Sequence, residues 1–187
     1  MKTIYLAGGC FWGVERLMHA AEGVISATSG YANGGTEQEA NYKEVCKGTT
    51  GFKETVQVIY NPEIITLEEL LLRYFYVVDP SVRNRQVGDI GTQYQTGVYY
   101  EDEESRLIVE KIAAIEANGV QEFFVEIEPL QNFYAAEEYH QKYLEKNPTG
   151  YCHIPFDEIE VFEKIAMQPK DYTKPAKSIV AEKLAQN

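Results

Sequence analysis

The sequence predicts an α+β fold, a ferredoxin-like α/β sandwich, and three observations lead there. Hydrophobic periodicity switches between strand and helix in the order β-α-β-β-α-β, the split β-α-β pattern in which helices cover one face of a largely antiparallel sheet. Capping and stop residues stand where the periodicity changes. At 187 residues the chain is of single-domain size, long enough to bury a substantial core without staples.

Residues 3–7 form a short apolar run that reads as a buried strand, and 11–21 follow at helical spacing with Gly23 as the stop. Residues 24–32 are the second strand. Asn33-Gly34-Gly35 then turns the chain into a polar loop that runs through Tyr42 and Cys46 to Gly51. Residues 54–60 alternate as a third strand, stopped by Asn61-Pro62. Thr66-x-x-Glu69 is a capping box, and Leu70, Leu71, Tyr74, Phe75 and Val78 behind it predict an apolar helix ended by Asp79-Pro80. Residues 81–94 read as a long polar loop of the kind that often carries function, 95–100 as a fourth strand, and 102–117 as a helix stopped by Asn118-Gly119. A strand at 123–129 and a helix at 135–146 would extend or wrap this core. Residues 164–187 change character, with Pro169, Pro175, several lysines and a weak amphipathic pattern over 178–184. The chain thus divides into one domain over 1–163 and a peripheral C-terminal tail over 164–187.

A net charge of −12 argues against a nucleic-acid partner, which would need clustered Lys and Arg. Three cysteines, at 10, 46 and 152 with no Cys-x-x-Cys, fit neither a secreted disulfide framework nor a structural zinc site, and point to a reducing compartment. Leu6-Ala7-Gly8-Gly9-Cys10 has the look of a lipoprotein cleavage box, but the apolar run behind Lys2 is far shorter than the roughly 7 to 15 residues of a signal-peptide core. No stretch approaches the length of a membrane-spanning helix. The expectation is a soluble, cytoplasmic monomer with no membrane partner.

Gly8-Gly9-Cys10-Phe11-Trp12-Gly13 is the segment most suggestive of chemistry. Two glycines allow a tight turn with open main-chain N–H groups, and a helix starting behind the sulfur is expected to lower the thiol pKa. Phe11 and Trp12 can wall a pocket for an apolar group, although a buried structural cysteine also satisfies these local features. A thiolate among aromatics can attack a carbonyl, a peroxide, a disulfide or a sulfoxide. Hydrolysis would want a histidine base. His19 lies beyond the first helical turn and points away from the sulfur, and His19, His140 and His153, each taken alone, read as surface or supporting residues. Glu54 opens a strand behind Thr49-Thr50-Gly51-Phe52-Lys53. At the mouth of an aromatic pocket its pKa would rise by desolvation and it could give up a proton at neutral pH, whereas spacing alone favours a solvated carboxylate. Tyr42 and Tyr94, one in each Gly-containing loop, can donate hydrogen bonds to a developing oxyanion, although with fourteen tyrosines most must serve packing.

Taken together and in order, these pieces resemble the A class of peptide methionine sulfoxide reductases. The resemblance rests on Gly9-Cys10-Phe11-Trp12-Gly13, Gly30-Tyr31 with Gly34-Gly35, and Asn41-Tyr42-x-x-Val45-Cys46 leading to Gly51-x-x-Glu54. It continues through Asp79-Pro80, Asn84-Arg85-Gln86 and Asp89-x-Gly91-Thr92-Gln93-Tyr94 to Glu138-Tyr139-His140-Gln141-x-Tyr143-Leu144 and Asn147-Pro148-x-Gly150-Tyr151-Cys152. It spans 3–155 and makes 1–163 the catalytic domain. Any one motif is weak, but their joint occurrence is highly specific.

The resemblance implies that Cys10 attacks the sulfoxide sulfur, that Phe11 and Trp12 hold the substrate methyl group, and that Glu54 protonates the departing oxygen. Tyr42 and Tyr94 would hydrogen-bond that oxygen, with Asp89 and Tyr143 in support. The resulting Cys10 sulfenic acid would condense with a second thiol. Cys152 is the candidate, its segment folding back or moving to reach Cys10, and Cys46 the alternative, more simply read as a small packed residue. The disulfide would be reduced by thioredoxin or another dithiol, with no bound cofactor and no metal. The chain departs from the family at Gly51-Phe52-Lys53-Glu54, often Gly-His-Ala-Glu, and at Gln86-Val87-Gly88-Asp89, often Gln-Gly-Asn-Asp. It also lacks the further C-terminal cysteine of many relatives. These changes bear on the surroundings of Glu54 and on peptide docking, and favour a two-cysteine relay.

Two other readings stay open at this level. A thiol peroxidase or redox sensor would use the same Cys10 and Cys152 without needing the aromatic pocket. A module binding methionine or methylated side chains in an aromatic cage would give Cys10 no purpose.

Overall fold

Alternation along the first strand sends Ile4 and Leu6 to one face of a sheet and Tyr5 and Ala7 to the other, and both faces are covered. That places the strand leading into Cys10 in the middle of the molecule. The computed structural model describes all residues, 1–187. In chain order the elements are β1 (Lys2–Ala7), α1 (Phe11–His19), β2 (Val24–Ala32), the one-turn α2 (Tyr42–Val45), β3 (Lys53–Tyr60) and α3 (Leu67–Val77). The two-residue strands β4 (Arg85–Gln86) and β5 (Asp89–Ile90) come next, followed by β6 (Gly97–Tyr100), α4 (Glu103–Ala117), β7 (Glu126–Pro129) and β8 (Phe133–Ala135). Short helices α5 (Tyr143–Lys146) and α6 (Phe156–Glu160) precede α7 (Ala176–Ala185).

The main sheet has the order β7-β6-β1-β3-β2-β8, antiparallel throughout except for the parallel pair β6 and β7. Its four central strands with α1 and α3 form the predicted split β-α-β sandwich, and the later strands extend it at each edge. Helix α3 starts as expected, with Thr66 Oγ1 accepting from Glu69 N–H and the Glu69 carboxylate accepting from Thr66 N–H. Leu70 and Leu71 on this helix are fully buried, each contributing about 1.5–3 kcal/mol of apolar burial. Tyr74 fixes α3 to the sheet by donating its hydroxyl proton to Ala7 O at 2.7 Å, directly ahead of the Cys10 turn.

The structure corrects several boundaries. The helix expected at 135–146 is a strand end, a 3₁₀ turn at Glu138–His140 and the short α5. Tertiary polar contacts break it: Gln141 donates to Ser29 O and Ala136 O, and Lys142, left-handed at φ 51°, gives its N–H to both Glu15 oxygens at 3.0 Å. Residues 133–135 instead pair with β2, where Gly30 leaves room for the Phe133 ring. The strand expected at 95–100 starts at Gly97, because Gln95 turns aside to bond Asn84 N–H, Thr96 O and Phe124 O. Phe124 gives its N–H to Pro80 O, so the strand expected at 123–129 starts only at Glu126. The loop at 81–94 contains the β4–β5 hairpin and a 3₁₀ turn at Thr92–Tyr94.

Residues 164–187 pack onto the helix layer. Ala176, Ile179 and Val180 of α7 join the main core, and Tyr172 and the Ala176 N–H both donate to the buried Glu116 carboxylate of α4 at 2.6 Å. No helix is long and apolar enough to cross a membrane.

Candidate active site

Gly9 makes the turn from β1 into α1. Its φ of +85° is left-handed, and a Cβ there would lie 2.7 Å from Gln86 Cβ, so both backbone conformation and space demand glycine. Gln86 is buried and locked by its own amide, which accepts from Asp79 N–H and donates to Asp79 O and Arg85 O at 2.8–2.9 Å. Cys10 follows at the N-cap of α1, buried, its thiol free like those of Cys46 and Cys152.

Glu54 stands beside it. On β3 this residue is in phase with Val56, Val58 and Tyr60, the face that packs under the helices, and it is 2% exposed. A carboxyl at a core position is costly unless it is hydrogen-bonded or neutral. Its Oε2 accepts from the Phe11 N–H, the first free donor of α1, at 3.1 Å. Burial still outweighs that bond, and with the charge of Asp89 nearby the Glu54 pKa is pushed up to about 8. At neutral pH the group carries a proton.

The same arrangement reverses one expectation. The Cys10 thiol is pushed up rather than down, first by burial and then by the nearness of Glu54, while the Trp12 N–H works the other way. The main reason is burial at the foot of the helix, and Glu54, which takes the Phe11 N–H there, adds to it. Resting Cys10 is therefore a thiol, and one of the influences that hold it so disappears when Glu54 is protonated.

Tyr42 and Tyr94 face this pair from the two loops. Burial raises both phenols, and the charges of Glu54 and Cys10 act on each in the same direction, so both hydroxyls keep their protons and remain donors. Tyr42 is placed by its own backbone N–H, which donates to the Glu137 carboxylate at 3.2 Å, and Asn41 Oδ1 caps α2 by accepting from Glu44 N–H. Asp89, on β5, accepts from the Tyr151 hydroxyl at 3.1 Å and lies 3.9 Å from His153 Nδ1.

The aromatic wall is a stack rather than a loose cage. Trp12 lies face to face on Tyr143, centroids 3.7 Å apart and planes at 9°, and donates its indole N–H to His140 Nδ1 at 3.1 Å. Tyr143, expected near the oxygen, thus supports Trp12. His140 is buried among Phe11, Trp12, Tyr42 and Tyr139, which makes it the buttress of this wall. His19 turns away as expected, accepting the Ala27 N–H. His153 is buried against the turn that leads into Cys10, its Nε2 2.9 Å from Gly8 O.

Cys152 does fold back. Its sulfur rests on the flank of α1 at Gly13, one turn behind Cys10, and donates to Ile154 O at 3.1 Å. Cys46 is not the small packed residue expected. It is exposed at the end of α2, because this one-turn helix buries Val45 and leaves its neighbour outside. The chain holds no cluster of three or more His, Cys, Asp or Glu side chains arranged for a metal.

The fold therefore brings Cys10, Phe11, Glu54, Tyr42, Tyr94 and Asp89 together, with Trp12, Tyr143 and Cys152 at the margin. Sequence reasoning gave Gln86 no role and missed Glu137, while His140, read as a surface or supporting residue, is a supporting one. Glu54 carried a readable signal, an acid in phase with three core residues of its strand. The family model described as peptide methionine sulfoxide reductase matches residues 2–170. A relative named peptide methionine sulfoxide reductase MsrA from Clostridium botulinum (strain Hall) is 50% identical over 158 residues, 84% of this chain and 100% of that protein. Reduced Mxr1 from Saccharomyces cerevisiae superposes with a TM-score of 0.76 at 41% identity, covering 81% of this chain and 88% of Mxr1. Mxr1 in complex with Trx2 superposes with a TM-score of 0.54 at 30% identity, covering 76% and 84%. Sequence, fold and the disposition of motifs agree, and the chain belongs to the A class of the peptide methionine sulfoxide reductase family.

Proposed function

We propose that the chain reduces methionine S-sulfoxide, free or within proteins, through a sulfenic acid on Cys10. The observation that carries this reading is the buried, protonated Glu54 at the helix terminus it shares with Cys10. A sulfoxide oxygen is a poor leaving group until it is protonated, and Glu54 holds a proton at neutral pH. Phe11 and Trp12 offer an apolar wall for the substrate methyl group, and Tyr42 and Tyr94 offer hydroxyl donors to the oxygen. As the Cys10 sulfur attacks the sulfoxide sulfur, Glu54 gives its proton to the oxygen and takes up the one released by the thiol. The protonated oxygen passes from the substrate sulfur to Cys10 as its first S–O bond breaks, and the S–S bond made by the attack breaks as methionine departs; Cys10 sulfur is oxidised to a sulfenic acid by the same two electrons that reduce the methionine sulfur.

Cys152 is the resolving thiol in this scheme. Its sulfur lies one helical turn from Cys10, whereas Cys46 is exposed beyond Tyr42. The resulting disulfide goes to a dithiol reductant, and the solved complex of Mxr1 with Trx2 supports thioredoxin in that part. Three free thiols suit a reducing compartment such as the cytoplasm. Residues 1–163 supply every side chain in this chemistry, and 164–187 brace the helices behind it.

The test is a thiol map. Reduced protein given one equivalent of methionine sulfoxide, with no reductant, is expected to release one methionine and to yield a Cys10–Cys152 crosslinked peptide. A Cys10–Cys46 crosslink would overturn the relay, and reduction by Cys10→Ser would overturn the nucleophile.

A further inference from the structure

Helix α1 presents Cys10 at its N-terminus and also offers a seat on its flank. At Gly13 a Cβ would lie 3.1 Å from Cys152 Sγ and 3.1 Å from Ile154 Cδ1, so the missing side chain is the space that the sulfur occupies. Arg16, one turn further on the same helix, reaches the same sulfur. Its Nη2 donates to Cys152 Sγ at 3.5 Å and to Ile154 O at 3.3 Å, and its guanidinium lies 5.1 Å from the Phe156 ring centroid. Its Nε is buried without a partner. The guanidinium is thus held by the segment that follows Cys152 and aimed at its sulfur.

We propose that Arg16 is a positioning residue for the second half of the reaction, holding the Cys152 sulfur on the Gly13 seat and stabilising the thiolate it becomes as it attacks oxidised Cys10. This rests on Cys152 as the resolving thiol. The Cys152 thiol gives up its proton, and its sulfur attacks the Cys10 sulfenic sulfur. The S–S bond forms as the S–O bond breaks, and the hydroxyl leaves as water with one proton. Cys10 sulfur is reduced and Cys152 sulfur oxidised by the same single step in oxidation state, so no other oxidant is needed.

The charged groups facing the sulfur are Arg16 from α1 and Asp89 from β5, with opposite influence. Burial pushes the Cys152 thiol up, a backbone hydrogen bond at Ile154 and then the Arg16 charge oppose it, Asp89 adds a smaller push up, and the thiol stays above its ordinary value. The guanidinium of Arg16 has its partners in Cys152, Ile154 and Phe156 and makes no hydrogen bond or ion pair to Glu54 or the aromatic wall, so its effect belongs to resolution and not to attack on substrate.

The experiment is rapid quench of reduced full-length protein mixed with one equivalent of methionine sulfoxide. Methionine release and Cys10–Cys152 disulfide formation are followed separately in the same samples. In Arg16→Gln, methionine release is expected to keep its wild-type rate, and disulfide formation to slow by about tenfold at pH 7. That deficit is expected to narrow as pH is raised from 7 to about 10, past the ordinary thiol value of 9.0, where ionisation depends less on Arg16. Arg16→Lys restores part of the rate. Gly13→Ala, which displaces the sulfur without touching its ionisation, slows disulfide formation equally at both pH values. An Arg16→Gln protein that resolves at the wild-type rate at pH 7, or is slowed equally at every pH, overturns the proposal. Failure of the relay itself looks different, because wild-type protein would then yield no Cys10–Cys152 crosslink at all.

Discussion

Cys10 and Cys152 sit in regions built by different means. Cys10 stands between a central strand hydrogen-bonded on both sides and a buried helix, on a turn that only glycine can make. Cys152 lies in a stretch without regular secondary structure, where none of the N–H groups of residues 151–154 donates to another backbone group. That stretch is held by side chains instead, through Tyr151 to Asp89, His153 to Gly8 O and Arg16 to Ile154 O. Attack on a sulfoxide needs a nucleophile, an acid and an apolar wall in one fixed geometry, which a sheet and helix supply. Resolution needs a thiol that can approach one sulfur and later give way to a reductant. A few side-chain contacts permit that at low cost.

The contrast breaks most sharply at the two sulfurs. Cys10→Ser is expected to lower methionine release by at least about a thousandfold, since no other thiol reaches the site of attack. Cys152→Ser, by contrast, halts thioredoxin-supported turnover after the first methionine, a difference visible as burst without steady state.

Glu54→Gln comes next, with a loss of about a hundred- to ten-thousandfold at pH 7 while a bound sulfoxide is retained. Wild-type rates should fall as pH rises through about 8, where Glu54 loses its proton, and the variant should lack that limb. The same substitution should stabilise the fold. Between its ordinary value of 4.5 and about 8, the native carboxyl holds a proton that the unfolded chain has lost, so stability falls as pH rises through this window. At pH 8 the variant is expected to unfold later than wild type by about 1–3 kcal/mol in urea titrations.

Tyr42→Phe should cost about tenfold in kcat, the worth of one hydrogen bond to the developing oxyanion, and proportionately less if Tyr94 compensates. The smallest kinetic effect belongs to Tyr172→Phe, far behind the site. It removes one of two donors to buried Glu116, and should lower stability by about 1–2 kcal/mol with the sulfoxide reductase rate unchanged. A change in rate would mean that the bracing of α4 reaches the nucleophile.

Much of this architecture could be read from the chain because local signals agreed with tertiary structure. The capping box at Thr66 and the glycine ahead of Cys10 both act within a few residues, so spacing reveals them. Glu54 was readable as a candidate but not as buried, since burial depends on which helices lie over β3. The break at Gln141 and Lys142 was invisible because its causes, Ser29 and Glu15, lie over a hundred residues earlier. The thiol of Cys10 was misjudged for the same kind of reason: the helix terminus was legible, but not the burial of the sulfur or the carboxyl from β3 that shares the terminus with it.

Trp12, stacked on Tyr143 and bonded to His140, is the only tryptophan in the chain. Excited at the red edge of its absorption, where the fourteen tyrosines absorb little, the protein therefore emits from this one aromatic wall. A methyl group settling against the indole, a sulfenic acid forming two residues away, or a shift of Tyr143 with the Cys152 segment would each change the polarity or quenching around the same ring. The fold carries its own optical probe of the catalytic cycle, one that needs no label and is abolished by a single Trp12→Phe substitution.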